Sequence, residues 1–143
     1  MSAVTGEFRL AAVFDRVDPV TGPAFAPGRA RLPEGTERDA LAAYLKGGAA
    51  VLITPLLVDD VVDPARTGVV PMGFRTDGEW IWTETVGYYL EEHGIAPEPG
   101  LLAHLRSKEG AASAVPGAER LEQAVAFVLA PTERPVWRVN ANG

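Results

Sequence analysis

Cysteine is absent from this chain of 143 residues, which excludes disulfide bonds, thiolate nucleophiles and cysteine-ligated zinc or iron–sulfur centres. Serine and histidine are scarce. Ser2, Ser107 and Ser113 do not lie in the Gly-x-Ser-x-Gly pattern of a hydrolase nucleophile. His93 and His104 lack the close spacing of a zinc signature. No residue is therefore a candidate for catalysis, metal binding or cofactor binding, although an enzyme that uses scattered acids stays an open alternative.

Basic clusters are also missing from the sequence. The formal net charge is −6, and the densest basic group is Arg29 with Arg31. A nucleic-acid-binding protein normally needs a basic face that displaces the counterions of phosphate, so we expect no nucleic-acid partner. The acidity either serves only solubility or forms an acidic face that docks on a basic protein.

Long hydrophobic runs and targeting signals are lacking as well. The longest apolar run, residues 47–58, is interrupted by Thr54 and Pro55 and is too short to span a bilayer. Residues 1–7 have neither the basic nor the apolar region of a signal peptide. We therefore expect a cytoplasmic protein without a membrane partner. Its length and ordinary composition predict one globular domain over residues 1–143.

Apolar residues recur at strand and helix spacings, separated by glycine and proline. The predicted strands are 8–17, 28–32 as a weaker one, 49–54, 69–75 and 79–82, and the predicted helices are 36–46, 83–93, 99–108 and 116–129. Residues 135–139 are either a last short strand or part of an extended tail over 131–143. This order predicts an α+β fold, a small and mostly antiparallel sheet with four helices on one face.

Three local patterns refine this prediction. The continuous apolar run 49–54 favours a central strand that is buried on both faces. Thr36 and Asp39 resemble a capping box at the start of the first helix, and Gly47 is well placed to end it. Thr83 and Gly94 are suited to begin and end the second helix.

Asp77 and Gly78 predict a two-residue hairpin loop, because a type I′ turn needs positive φ at both positions. With a loop of this length, Arg75 lies opposite Trp80, and we expect a cation–π contact between them. Alternation along the strands then places Met72, Phe74 and Ile81 on one face and Arg75, Trp80 and Trp82 on the other.

The tryptophan face is either packed within this chain or serves as an anchor for a partner protein. Tyr89 continues the apolar stripe of its helix, whereas Tyr88 lies nearer the edge of that stripe. Three aspartates between residues 56 and 68 lack the spacing of a calcium-binding hand, which predicts a solvated loop. The candidate partner-binding residues are Arg75, Trp80, Trp82, Tyr88, Asp59, Asp60 and Asp63.

The remaining polar candidates have structural explanations in the sequence. His93 lies in the last turn of a predicted helix, where the helix dipole favours positive charge. His104 has the neighbours of a residue at the boundary of a core. Asp77 is explained by the hairpin turn.

One stretch resembles known proteins. Residues 69–82 contain the pattern Thr76-Asp77-Gly78-x-Trp80-x-Trp82, followed by Tyr88-Tyr89-Leu90 and residues 93–97. This stretch resembles a family of small actinobacterial proteins, and it is similar to segments in immunity-type proteins of bacterial polymorphic toxin systems. The resemblance lies mostly within residues 39–105. It implies a protein that binds and neutralises a partner protein, and it supplies no catalytic residues.

Three functions are compatible with these observations. The first is an immunity-like binding module that blocks a cognate basic toxin with an acidic and aromatic surface. The second is a structural or assembly protein that acts as a homo-oligomer. The third is a small enzyme or ligand-binding domain with a pocket between sheet and helices, lined by convergent polar groups.

Overall fold

A computed structural model describes residues 8–20, 22–108 and 115–129 of the chain. These residues form the predicted α+β fold. The strands are β1 (Arg9–Leu10), β2 (Arg16–Asp18), β3 (Gly22–Ala24), β4 (Ala49–Leu52), β5 (Leu57–Val58), β6 (Val70–Pro71), β7 (Phe74–Thr76) and β8 (Trp80–Thr83). The helices are α1 (Thr36–Lys46), α2 (Glu84–His93), α3 (Pro99–Ser107) and α4 (Ala118–Leu129). The predicted strand or tail over 135–139 lies outside the described residues.

The main sheet has four strands in the order β1-β8-β7-β4. β1 runs parallel to β8, and the other two pairs are antiparallel. Two small antiparallel ribbons, β2 with β3 and β5 with β6, flank this sheet. The prediction of a mostly antiparallel sheet is therefore confirmed. None of the described helices is both long and apolar enough to cross a membrane.

The apolar run 49–54 does not form a central strand as predicted. β4 lies at an edge of the described sheet, and only Val51 is buried within it. Leu52 and Ile53 are exposed. Strand position depends on pairing with distant residues, so a local run of apolar residues does not distinguish an edge strand from a central one.

Helices cover both faces of the sheet, which corrects the prediction that all of them lie on one face. The larger core packs Trp80 and Trp82 against α1, α2 and α3. The smaller core lies on the opposite face, where Ala124 and Phe127 of α4 pack with Ile81. Phe127 is buried on the side of α4 that faces the sheet, whereas Leu129 at the end of the helix is exposed.

The hairpin between β7 and β8 is wider than predicted. Thr76 pairs with Ile81 and Arg75 pairs with Trp82, which leaves four residues in the loop. Only Gly78 has positive φ, so the turn is not type I′. The register differs from the predicted one by two residues. Because side chains alternate with a period of two, the predicted division of side chains between the faces still holds.

Helix boundaries agree better with the sequence than strand boundaries do. α1 has the predicted bounds, and α2 begins after Thr83 and ends at Gly94, which adopts the left-handed conformation with φ of 70°. The capping box at Thr36 is wrong, because Gly35 is the N-cap and no side chain caps the helix. Gly47 ends α1 in a right-handed conformation.

The N-terminal strand predictions hold only in part. Residues 8–17 form two short strands, β1 and the start of β2, separated by buried residues without strand pairing. The weak strand 28–32 is absent, and an isolated bridge between Arg31 and Ile95 takes its place. The predicted strand 69–75 is divided into β6 and β7 after Pro71, which lacks the N–H that a regular ladder needs.

Candidate functional site

Both candidate tryptophans are enclosed by this chain. The Trp82 side chain is fully buried, and its Nε1 donates a hydrogen bond to the Leu45 carbonyl oxygen at 3.1 Å. Gly48 gives the ring its space, because a Cβ at that position would lie 2.6 Å from Trp82 Cζ2. Trp80 is also buried. Packing within the chain therefore accounts for these two residues, and neither forms an exposed anchor for a partner.

Arg75 does not lie over Trp80 as expected, because the observed register places it opposite Trp82. Its Nε donates to Glu84 Oε2 at 3.0 Å and its Nη1 donates to the Gly48 carbonyl oxygen at 2.8 Å. The guanidinium that faces the Trp80 ring belongs to Arg9, at 5.9 Å from the ring centroid. Arg75 thus joins β7 to α2 and to the segment before β4.

Asp60 is buried, which contradicts the prediction that its loop is solvated throughout. One carboxylate oxygen, Oδ2, accepts hydrogen bonds from Tyr88 Oη and from His93 Nε2, each at 2.6 Å. The other oxygen, Oδ1, accepts from the backbone N–H groups of Val62 at 2.7 Å and Asp63 at 2.9 Å. Four donors therefore saturate the carboxylate. We name Asp60, Tyr88 and His93 the Asp60 cluster.

The Asp60 cluster joins the loop after β5 to helix α2. Tyr89 adds a further link, because its hydroxyl oxygen accepts a hydrogen bond from the Val61 N–H at 2.9 Å. Burial raises the pKa of the Asp60 carboxyl, but the hydrogen bonds from His93, Tyr88 and the backbone lower it more, to about 2. Burial raises the pKa of the Tyr88 hydroxyl, as does its hydrogen bond to Asp60. Asp60 is consequently held as a carboxylate.

Asp59 and Asp63 remain at the surface, as the sequence predicts for this loop. Each carboxylate accepts a hydrogen bond from a nearby backbone N–H, Asp59 from Gly68 at 2.9 Å and Asp63 from Ala65 at 3.3 Å. Among the residues that the structure covers, no group of three acidic or histidine side chains is arranged to hold a metal ion. The three candidate aspartates thus have two different roles, one internal and two external.

A second cluster repeats the arrangement at the hairpin turn. Asp77 Oδ2 accepts hydrogen bonds from Tyr44 Oη and from His104 Nε2, each at 2.6 Å. Asp77 Oδ1 accepts from the backbone N–H groups of Glu79 and Trp80, both at 3.0 Å. The turn explains only the second pair of bonds, so the sequence prediction for Asp77 was incomplete. We name Asp77, Tyr44 and His104 the Asp77 cluster.

The two clusters hold elements together. Burial raises the pKa of the Asp77 carboxyl, but the hydrogen bonds from Tyr44, His104 and the backbone lower it by more, so the net change is downward. Both oxygens of each aspartate are occupied by donors from this chain. In each cluster the histidine donates its hydrogen bond to a buried carboxylate. Among the described contacts no nucleophile lies beside either histidine, so the clusters resemble structural links between elements more than a catalytic triad. Asp60 ties the loop to α2, and Asp77 ties the turn to α1 and α3.

A cleft of about 380 Å³ lies between the end of α1 and α2. Tyr88 and Trp82 contribute to its wall. The charged groups that line it are paired with each other: Arg75 with Glu84 at 3.0 Å, and Lys46 with Glu91 at 2.7 Å. A specific ligand site normally presents several convergent polar groups that are free to contact the ligand. The cleft therefore offers little support for the ligand-binding hypothesis.

Exposed large apolar side chains are concentrated in one segment, between β4 and β6. Six of the ten exposed large hydrophobic side chains in the described part of the chain belong to it. They are Leu52, Ile53, Leu56, Leu57, Val62 and Val69, which we name the 52–69 surface. The sequence pattern does not predict this surface, because the apolar run 49–54 at its start is typical of a buried strand.

Comparison with known proteins assigns no family to the chain. No protein-family model matches it, and neither a curated protein nor a solved structure does. The resemblance to immunity-type proteins therefore stays a prediction. The site must be interpreted from the residues of this chain.

Proposed function

We propose that this protein is a non-catalytic binding module that docks on a basic partner protein through the 52–69 surface, in the manner of an immunity protein that neutralises a toxin. The observation that carries this proposal is the concentration of exposed apolar side chains in that one segment. Contiguous exposed apolar surface is rare on monomeric proteins and usually marks an interaction site. Leu56 is its most exposed member at 57%, followed by Ile53 at 53% and Leu57 at 50%.

The charge near this surface supports a basic partner. Residues 52–69 contain three aspartates and one cation, Arg66, which is paired with Glu92 at 3.0 Å. Asp59 and Asp63 are exposed there, whereas Asp60 is internal. Acidic groups around an apolar patch accelerate association with a basic protein and disfavour acidic ones. The partner that fits best therefore has an apolar centre and a rim of lysine or arginine.

The Asp60 cluster supports the proposal through preorganisation. Asp60 accepts from the backbone N–H groups of Val62 and Asp63 and is itself held by α2 through Tyr88 and His93. Tyr89 of α2 accepts from the Val61 N–H. A loop that is ordered before binding loses less conformational entropy when the partner docks. A buried polar cluster under an exposed apolar loop is thus consistent with a surface that is kept ready to bind.

The proposal is tested by co-expressing the full chain with the protein encoded next to its gene. We expect the pair to copurify and the chain to rescue growth if that protein is toxic. Leu56→Asp should weaken binding at least about tenfold, because it places a charge in the apolar centre of the interface. Val20→Asp is the matched control, since Val20 is 91% exposed in the turn between β2 and β3.

Three results would argue against this function. One is the absence of any complex with the neighbouring protein. Another is equal binding by the Leu56→Asp and Val20→Asp variants, which would place the interface elsewhere. The third is a stable dimer in light scattering that Leu56→Asp dissociates, because the 52–69 surface would then be a homo-oligomer interface.

A further inference from the structure

Strand β4 presents a backbone edge that has no partner strand among residues 8–20, 22–108 and 115–129. It pairs with β7 on one side and ends the described sheet on the other. Within the described residues, no further backbone hydrogen bond joins residues 49–53 to another element. The N–H and C=O groups along such an edge can pair with an added strand.

The edge of β4 also lacks the charges that natural proteins use to protect an edge strand. Lysine, inward-pointing charges or proline normally prevent pairing between sheets of different molecules. Residues 47–58 contain no charged residue, whereas β1 at the opposite edge contains Arg9. A bulge between Ala50 and Leu52 and the proline at 55 limit the open edge to its first few residues.

The side chains next to this edge match an extended partner. Leu52 and Ile53 are exposed at the end of β4 and belong to the 52–69 surface. An added strand would align its backbone with β4 and place the side chains of one of its faces beside Leu52. Exposed Asp59 and Asp63 follow β5 in the same segment of the chain, and their charge is complementary to lysine or arginine in the partner.

We propose that the edge of β4 receives an extended, lysine- or arginine-bearing apolar segment of the partner protein, which pairs with it as an additional strand. This inference rests on the proposed binding function and specifies the partner. Charge favours such a segment over a second copy of this chain, because each copy brings exposed Asp59 and Asp63, and the one cation in residues 47–69, Arg66, is already paired with Glu92. Main-chain pairing supplies the affinity, and the apolar and acidic side chains supply the selectivity.

The test uses the full chain and a blocked nonapeptide of alternating lysine and valine, at up to millimolar concentration. Amide hydrogen exchange is followed by NMR. We expect the β4 amides that face away from β7 to exchange at least about tenfold more slowly with the peptide bound. Two control peptides separate the contribution of charge from that of backbone pairing. One replaces lysine with glutamate, and the other carries N-methyl groups on alternate residues of an otherwise identical sequence. Both should bind at least about tenfold more weakly.

A variant pair locates the contact. Leu52→Lys should weaken peptide binding at least about tenfold by adding like charge at the edge, and Val20→Lys should not. Unchanged β4 exchange at millimolar peptide overturns the inference, and so does equal binding of the N-methylated peptide. A third result would separate the two proposals: Leu56→Asp abolishes binding of the neighbouring protein, but the β4 amides of the native chain stay unprotected in its complex with that protein. The proposed binding function would then hold, and strand addition would be wrong. Concentration-dependent protection without peptide would show pairing between two copies instead.

Discussion

Asp60 and Asp77 use their carboxylates in the same way, although they lie in different loops. Each accepts two backbone N–H donors with one oxygen and a tyrosine and a histidine with the other. The backbone half of this pattern is local and can be read from the sequence, as it was for Asp77. The side-chain half cannot, because Tyr88 and His93 lie 28 and 33 residues from Asp60.

The first prediction at this scale concerns Asp60→Asn. The amide keeps the shape of the side chain but turns an acceptor oxygen into a donor, so at least one buried hydrogen-bond partner is left unsatisfied. We expect the free energy of unfolding to fall by about 2–3 kcal/mol, as measured by urea denaturation. Asp59→Asn, at the adjacent exposed residue, is the control and should change it by less than about 0.5 kcal/mol. Equal effects of the two variants would mean that the Asp60 cluster does not stabilise the fold.

At the scale of elements, the helices were predictable and the strands much less so. α1 and α2 follow from apolar spacing within one segment and from residues such as Gly94 at their ends. The position of β4 at an edge depends on which strands pair, which local spacing does not encode. The predicted register of the hairpin was wrong for a different reason. Asp77 accepts from the N–H groups of both Glu79 and Trp80, and this stabilises a wider loop than Asp-Gly alone predicts.

The close approach of Gly48 to the Trp82 ring gives a prediction at this scale. In Gly48→Ala the new Cβ would lie 2.6 Å from Trp82 Cζ2 and 3.2 Å from Arg75 Cβ. The ring cannot move freely, because its Nε1 is bonded to Leu45. We expect a loss of about 1–3 kcal/mol in the free energy of unfolding. Gly28→Ala has open space around it and should stay within about 0.5 kcal/mol of the native chain. A neutral Gly48→Ala would show that β4 can shift away from Trp82.

At the scale of the whole molecule, several apolar side chains do not lie where the sequence predicted. The aromatic side chains that the sequence offered as binding anchors, Trp80 and Trp82, lie in the larger core. The run 49–54, which the sequence predicted to be buried, contributes exposed Leu52 and Ile53 instead. The reversal has one physical origin. Residue type predicts how favourable the burial of a side chain is. The topology determines which apolar side chains are packed against another element of the chain.

The last prediction concerns the response of the whole molecule to acid. Asp60 has a pKa of about 2 in the folded protein, below the ordinary value of 3.8 that it has when unfolded, and the pKa of Asp77 is lowered as well. Between these values the unfolded chain binds more protons than the folded one, so stability rises with pH. The contribution of Asp60 is fully present above about pH 4 and is lost as pH falls through about 2.

We therefore expect the difference in unfolding free energy between the native chain and Asp60→Asn to shrink by about 2 kcal/mol from pH 5 to pH 2. Urea denaturation at intervals of half a pH unit measures it. Asp59→Asn serves as the control for the general effect of growing positive charge, which acts on every variant alike. A difference between native and Asp60→Asn that stays constant over this range would mean that the Asp60 carboxylate does not contribute its charge to stability. In that case the cluster would act through shape and neutral hydrogen bonds alone.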